Sequence, residues 1–192
     1  MRQPNHRLRH HARRRFALAD VVPTLALSAA VSSTALAADI SWIATGSANF
    51  NTPTNWDPAQ VPTVADVAIF ANNTTGTAAL TAPAAVNDLS FRNTSGSITL
   101  DTAGGTLSFN RFLVGAAAGH VNNVIFSGGT FQHTSTGQVF SIGNANGSNG
   151  NRLTITGSGV RVLSTATGTG SNLGIAGSNN NELHVTDQAF VD

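Results

Sequence analysis

Residues 141–162, SIGNANGSNGNRLTITGSGVRV, carry the pattern that indicates the fold most clearly. It joins a short apolar segment to a turn of Gly and Asn, then to the alternating segment LTIT, and closes on further apolar residues. Alternation of apolar and polar residues predicts a half-buried β-strand. Gly and Asn favour turns because they accept left-handed backbone angles at low cost. The sequence beyond residue 37 carries no helical periodicity that would compete with this pattern.

Three copies of the pattern occupy residues 112–131, 140–160 and 173–190. Each copy exposes an apolar face that only a neighbouring copy can cover, which is typical of repeats that stack. Three short strands and three turns form one rung, and successive rungs pair in parallel about 4.8 Å apart. The sequence therefore predicts an all-β, parallel β-solenoid over residues 87–192. A sandwich of hairpins, with two-residue turns and no fixed repeat length, is the competing fold.

Equivalent positions of the copies are expected to point inward and to stack in a core ladder. The expected members are Val114, Ile142 and Ile175 in the first strand, Phe126, Ile155 and Val185 in the second, and Phe131, Val160 and Phe190 at the close. Asparagines also recur just before the second strand, at Asn122, Asn151 and Asn181. Aligned asparagines can bond to one another through their amides, so this spacing predicts an amide ladder.

Residues 1–37 have the features of an export signal. Six arginines lie in the first fifteen residues, an apolar run follows at 21–31, and the segment ends in Ala35-Leu36-Ala37. Small residues at these positions predict cleavage between Ala37 and Ala38. The apolar run is shorter than the ~20 residues that a membrane-spanning helix needs, which disfavours an anchor. We expect the protein to be exported to the periplasm, the cell surface or the extracellular space.

Composition excludes several classes of function. The 192 residues include no Cys, which excludes disulfides and thiolate metal sites. All ten basic residues are Arg, so mechanisms that need a lysine nucleophile are excluded. Beyond residue 37 four Arg stand against eight Asp and Glu, a net charge of −4. Nucleic acid is not an expected partner, because phosphate binding requires a basic patch on the folded part.

The candidate site residues lie mainly in residues 38–86, which we interpret as an N-terminal cap region. Trp42 and Trp56 are expected to cover the open end of the stack, with stacking on sugar rings as the alternative. Asp66 precedes an apolar strand and is interpreted as a turn or hydrogen-bonding residue. The histidines show no metal-ligand spacing and the carboxylates are scattered, so no catalytic, cofactor or metal site is predicted.

The repeats resemble the autotransporter-associated β-strand repeats of bacterial surface and secreted proteins. Residues 141–162 carry the family's Ile-Gly turn, polar loop and LTITG-like strand. The preceding region is similar in its Trp42, Asn55-Trp56, Val61-Pro62 and DVAIF segment at 66–70. The resemblance implies a right-handed β-helix at or beyond the cell surface. No segment resembles the family's C-terminal outer-membrane domain, so we expect either a different export route or a chain that is truncated.

Three hypotheses of function follow. The first is an exported structural or adhesive solenoid without catalytic activity, whose partners are surface glycans or molecules of a host or neighbouring cell. The second is a carbohydrate-active β-helix enzyme, and the third is an N-terminal fragment of a larger autotransporter with no function of its own. Leu183, Val185 and Phe190 would line an uncovered last rung, which predicts self-association through that end.

Overall fold

The computed structural model describes residues 37–135, 137, 139–165, 167, 171–173 and 177–192. This part of the chain consists of β-strands and one short 3-10 helix at Pro53–Asn55. The strands are β1 (Asp39–Trp42), β2 (Gly46–Asn49), β3 (Trp56–Asp57), β4 (Val67–Phe70), β5 (Gly76–Ala79), β6 (Ala84–Phe91), β7 (Ser97–Asp101), β8 (Thr106–Val114), β9 (Asn123–Ser127), β10 (Thr130–His133), β11 (Phe140–Ile142), β12 (Arg152–Thr156), β13 (Arg161–Ser164), β14 (Ser171–Leu173), β15 (Glu182–Thr186) and β16 (Phe190–Val191). The protein is therefore all-β in this part, as predicted.

The described strands form a ten-stranded sheet and a six-stranded sheet, and the chain passes repeatedly from one to the other. The six-stranded sheet has the order β2-β5-β7-β9-β12-β15, with every pair parallel. In the larger sheet β1, β4, β6 and β8 also pair in parallel along the chain order. Of the described strands, only β3 pairs antiparallel, against the outer edge of β1. Parallel neighbours joined by long crossovers are compatible with a β-solenoid and do not fit a sandwich of hairpins.

Later rungs divide the larger sheet into two faces. The first half of β8 pairs with β10, and its second half pairs with β11. The next rung continues each face separately, since β10 pairs with β13 and β11 with β14. Each of these rungs thus contributes three strands, two to the larger sheet and one to the smaller, which agrees with the predicted rung of three strands.

Large apolar side chains fill the space between the sheets. Phe112 pairs with Leu89 of the preceding rung and with Phe140 of the next, and its ring stacks on that of Phe140 at 4.4 Å. Phe126 and Phe131, one from each sheet, stack at 3.9 Å and are fully buried. Burying one such side chain stabilises the fold by about 1.5–3 kcal/mol relative to leaving it exposed.

The predicted core ladder is present in the second strand of the repeat. Ile155 pairs with Phe126 on one side and with Val185 on the other. Phe126 and Ile155 are fully buried, whereas Val185 is 45% exposed because it belongs to the last described rung. In the first strand, Ile142 pairs with Val114 and both are buried.

Two parts of the predicted ladder differ from the observed register. Ile142 pairs with Leu173, and the predicted partner, Ile175, lies outside the described residues. Phe131 pairs with Val162, whereas Val160 is a buried turn residue that precedes β13. Phe190 lies opposite Arg161 and is 47% exposed. The turns before these positions differ in length, so equal distance along the sequence does not give equal position in the rung.

The described part of the chain has no helix of the length and apolar character that crossing a bilayer requires.

Candidate functional site

A row of asparagines runs through the turns that lead into the six-stranded sheet. The side-chain oxygen of Asn122 accepts the backbone N–H of Asn93 at 2.9 Å, and that of Asn151 accepts the N–H of Asn122 at 2.9 Å. Asn181 continues the row by accepting from the N–H of Asn151 at 3.0 Å. At the other end, Asn93 accepts the N–H of Thr74 at 3.3 Å. The amide ladder predicted from Asn122, Asn151 and Asn181 is confirmed.

The ladder lies in the protein interior, where its bonds count most. Asn93, Asn122 and Asn151 are at most 1% exposed. Each satisfies a turn N–H that would otherwise be buried without a partner, at a cost of about 1–3 kcal/mol. The side-chain amides also bond to one another, from Asn122 to Asn151 at 2.8 Å and from Asn151 to Asn181 at 3.0 Å. The asparagine ladder therefore holds successive turns in register, and the apolar core side chains hold successive strands in register.

The glycine of the Ile-Gly turn is required by this ladder. Gly143 has a φ of +77°, and a Cβ at this position would overlap the Asn181 side chain. Gly115 has a φ of +75°, and a Cβ there would overlap Ser148 and Asn151. The glycine position of each turn must lack a side chain, because the asparagine of the following rung packs directly against it.

We define the asparagine corner as the segments 42–45, 72–75, 93–96, 121–123, 150–152 and 180–182, which comprise the turns and the strand residues next to them. Two grooves lie on it. One, of about 400 Å³, is lined by Ser95, Gly96, Val121, Asn122, Asn123, Gly150, Arg152, Asn180 and Glu182. The other, of about 380 Å³, is lined by Trp42, Ile43, Ala44, Thr45, Asn72, Asn73, Thr74 and Thr75.

Asn73 connects the two grooves. Its side-chain oxygen accepts the N–H groups of Thr94 and Ser95, each at 3.0 Å. Asn73 lines one groove and Ser95 lines the other. The grooves are thus consecutive parts of one surface that extends over successive turns of the chain.

The charged residues of the corner are Arg152 and Glu182, and they neutralise each other. Arg152 donates to Glu182 Oε2 from Nε at 2.8 Å and from Nη2 at 2.5 Å. These hydrogen bonds and the guanidinium charge lower the pKa of Glu182, and a weaker contact from His184 at 3.0 Å acts in the same direction. The corner therefore presents amides and hydroxyls with little net charge.

Trp42 and Trp56 lie at the first rung, where the cap was predicted. Both are 1% exposed, and their rings meet edge to face at 4.9 Å. Trp56 donates its indole N–H to the Phe50 carbonyl at 2.7 Å. The indole N–H of Trp42 has no acceptor within the described residues. Because both rings are buried, neither offers a face on which a sugar could stack.

Asp66 connects the residue before β1 to the loop at Thr63 through hydrogen bonds. Its carboxylate accepts the hydroxyl of Thr63 at 2.6 Å, the N–H of Thr63 at 2.9 Å and the N–H of Ala38 at 3.4 Å. Burial raises the pKa of Asp66, but these hydrogen bonds outweigh burial and leave the pKa below its usual value. Ala37, on the other side of the predicted cleavage point, is exposed. Asp66 is thus a hydrogen-bonding residue, as the sequence predicted.

Two further titratable residues, Asp88 and His133, are buried and each has its own polar partners. Asp88 is buried and paired with Arg111. His133 is buried, with Nε2 2.9 Å from the Asn110 carbonyl and Nδ1 3.1 Å from the Ser164 hydroxyl. Across the described ranges no three His, Asp or Glu side chains are grouped as a metal site would require.

The grooves were not visible in the sequence. Asn93 and Thr74 belong to the ladder, yet they lie outside the three clear repeats, and the separation from Thr74 to Asn93 is 19 residues against 29 for the next step. The signal that could have found Asn93 is its own spacing of 29 residues from Asn122.

No family model, curated protein or solved structure matches the chain.

Proposed function

We propose that the protein is an exported structural or adhesive β-solenoid without catalytic activity, coiled as a right-handed β-helix of the autotransporter-associated type. The observation that carries this proposal is the asparagine corner. A buried amide ladder holds the turns in register, so that polar side chains recur at fixed intervals along one surface. A rigid, repetitive surface of this kind suits many weak contacts to an extended partner on a cell.

Export from a bacterial cytoplasm is part of the proposal. Its support is the leader pattern of residues 1–37 together with the position of the first strand. β1 begins at Asp39, directly after the expected cleavage point. The Ala38 nitrogen lies 3.4 Å from Asp66 Oδ1, where an α-ammonium group released by cleavage would form an ion pair.

The export proposal is tested by producing the full chain in a bacterium and fractionating the culture. We expect the protein outside the cytoplasm with Ala38 as its first residue. Exported protein that still begins at Met1 would contradict the cleavage, and full-length protein confined to the cytoplasm would contradict export.

Adhesion is tested with beads coated with the exported protein. We expect the beads to adhere to bacterial or host cells above the level of albumin-coated beads. The control is the same exported protein unfolded in urea before it is coated on the beads, which removes the folded surface and keeps the sequence unchanged. Equal adhesion of the two coatings would contradict a specific adhesive role.

We also propose that copies associate through the last described rung. Leu183, Val185 and Phe190 are 40–47% exposed there, and β15 has a free edge within the described residues. Unpaired edges with apolar side chains promote pairing with another chain. Sedimentation over a concentration series should show association that Val185→Asp weakens, and a monomer at every concentration would contradict it.

A further inference from the structure

The asparagine corner is suited to a polymer that lies along it. Its two grooves are consecutive, with Asn73 of one bonded to Ser95 of the other. Together they extend from Ala44 and Thr45 beside β2 to Asn180 beside β15. Rungs repeat about every 4.8 Å, which is close to the length of one pyranose unit in a linear polysaccharide. A linear ligand with a similar repeat could therefore pass from one rung to the next along the corner.

The chemistry of the corner indicates an uncharged, amphipathic ligand. Exposed hydroxyl and amide groups are provided by Ser95, Asn72 and Asn180. Each groove also holds one exposed aliphatic side chain, Ile43 at 50% and Val121 at 43%. Sites for small polar ligands combine apolar walls with a few polar groups that fix orientation. Sugars supply both kinds of partner, since their C–H faces are apolar and their edges carry hydroxyls.

An extended peptide is a poorer fit, because the backbone of the corner is already used. The N–H of Val121 donates to the Asn93 carbonyl at 2.9 Å, and that of Arg152 donates to the Asn122 carbonyl at 2.8 Å. Peptide recognition by strand addition needs a free row of backbone donors and acceptors. Polyanions are also disfavoured, since the Arg152 guanidinium is occupied by Glu182.

Three buried polar groups of the corner lack a partner within the described residues, namely the Trp42 indole N–H, Asn123 Oδ1 and Asn181 Nδ2. Trp42 is 1% exposed and lines the groove that holds Ile43, and its indole N–H has no acceptor within the described residues. A buried donor without a partner is rare in folded proteins and calls for a specific explanation. A ligand hydroxyl, directly or through one water, would supply the missing acceptor.

We propose that the asparagine corner binds a neutral, linear polysaccharide, with the sugar chain running across successive rungs. Exposed amides and hydroxyls contact its hydroxyl groups, and Ile43 and Val121 contact its apolar faces. This proposal rests on the adhesive function proposed above and assigns it a ligand class and a surface.

The test is retardation of the exported protein in native gels that contain laminarin, dextran, xylan or galactomannan. We expect at least one of these neutral polymers to retard the protein, and alginate or single-stranded DNA to have no effect. Val121→Glu should weaken the interaction by about tenfold, equivalent to about 1.4 kcal/mol. Val64→Glu is the matched control, because Val64 is 65% exposed and lies outside both grooves.

Two further variants keep the result interpretable if Val121→Glu folds poorly. Ile43→Glu repeats the test in the neighbouring groove, and Trp42→Phe removes the unpartnered N–H while keeping an aromatic ring. Both should weaken retardation, and thermal melting of each variant checks that it is folded.

Each other outcome overturns the proposal in a distinguishable way. Equal retardation of the Val121→Glu and Val64→Glu variants would place polysaccharide binding elsewhere and leave the adhesive function intact. Retardation by anionic polymers alone would overturn the neutral ligand class. If no polymer retards the protein while coated beads still adhere to cells, the ligand assignment fails alone. If neither occurs, the adhesive function fails with it.

Discussion

The first and last rungs are built from similar apolar rows but differ in what lies over them. At the first rung, the rings of Trp42 and Trp56 are buried, and β3 pairs antiparallel with the outer edge of β1. At the last described rung, Val185 and Phe190 are 45% and 47% exposed, although both strands pair with the rung below. The difference shows that a side chain's position within the repeat does not by itself determine how deeply the side chain is buried. Burial depends on the neighbouring rung, as expected of a stack stabilised by nearest-neighbour contacts.

The largest expected difference in stability between a covered and an uncovered rung is found within the apolar core ladder, between Ile155 and Val185. Ile155→Asp buries an unpaired charge and should lower the free energy of unfolding by about 3–5 kcal/mol. Val185→Asp, at the paired position one rung on, should cost about 1 kcal/mol, since solvent reaches the new carboxylate. Urea denaturation of both variants gives the comparison. Equal losses would mean that the last rung is covered as well as the interior.

The amide ladder allows a second comparison, between the isosteric substitutions Asn151→Asp and Asn181→Asp. In Asn151→Asp an acceptor replaces the Nδ2 group that donates to Ser148 and Asn181 at 2.9 and 3.0 Å, so we expect a loss of about 3 kcal/mol. The Nδ2 group of Asn181 is buried without a partner within the described residues. Asn181→Asp removes that donor and should cost less than about 1 kcal/mol. A loss at Asn181 as large as that at Asn151, seen in the same denaturation assay, would show that the ladder does not end as described.

The two tryptophans of the first rung differ by one hydrogen bond. Trp56→Phe leaves the buried Phe50 carbonyl without its donor, whereas Trp42→Phe removes an N–H that has no acceptor among the described residues. Both variants lose similar ring volume, so their difference reports the hydrogen bond. We expect Trp56→Phe to be less stable than Trp42→Phe by about 1–3 kcal/mol in thermal or urea unfolding. The reverse order would refute the assigned bond.

Acid should weaken the first rung through Asp66. Because its pKa is lower in the folded state, the stabilisation is present above the unfolded pKa of about 3.9. It is lost as the pH falls through the lower, folded value. Asp66→Asn should reduce stability at pH 7 by about 1–2 kcal/mol and flatten this acid dependence. Asp187→Asn at the last described rung, where the side chain is exposed, should change stability by less than about 0.5 kcal/mol. Unfolding curves from pH 2 to 7 check both, and an unchanged acid dependence in Asp66→Asn would contradict the assignment.

The sequence predicted what repeats regularly and missed what depends on turn length. Equal spacing of Asn122, Asn151 and Asn181 was enough to predict their ladder, because the intervening rungs have nearly equal length. The partner of Phe131 was predicted two residues too early, since strand register follows the turn before it. The groove at Trp42 lies beyond sequence reasoning, because it forms between turns that share no motif.

Hydrogen exchange resolved by strand measures whether each rung is stabilised by its neighbours. It also compares β1, whose outer edge pairs with β3, with β15 and β16, whose outer edges pair with no described strand. For the full chain at low concentration, we predict slow amide exchange in β9 and β12 and similar protection in β1. Exchange in β15 and β16 should be much faster, because opening there disrupts only one neighbouring rung. Protection in β15 equal to that in β12, or exchange in β1 faster than in β15, would contradict the account.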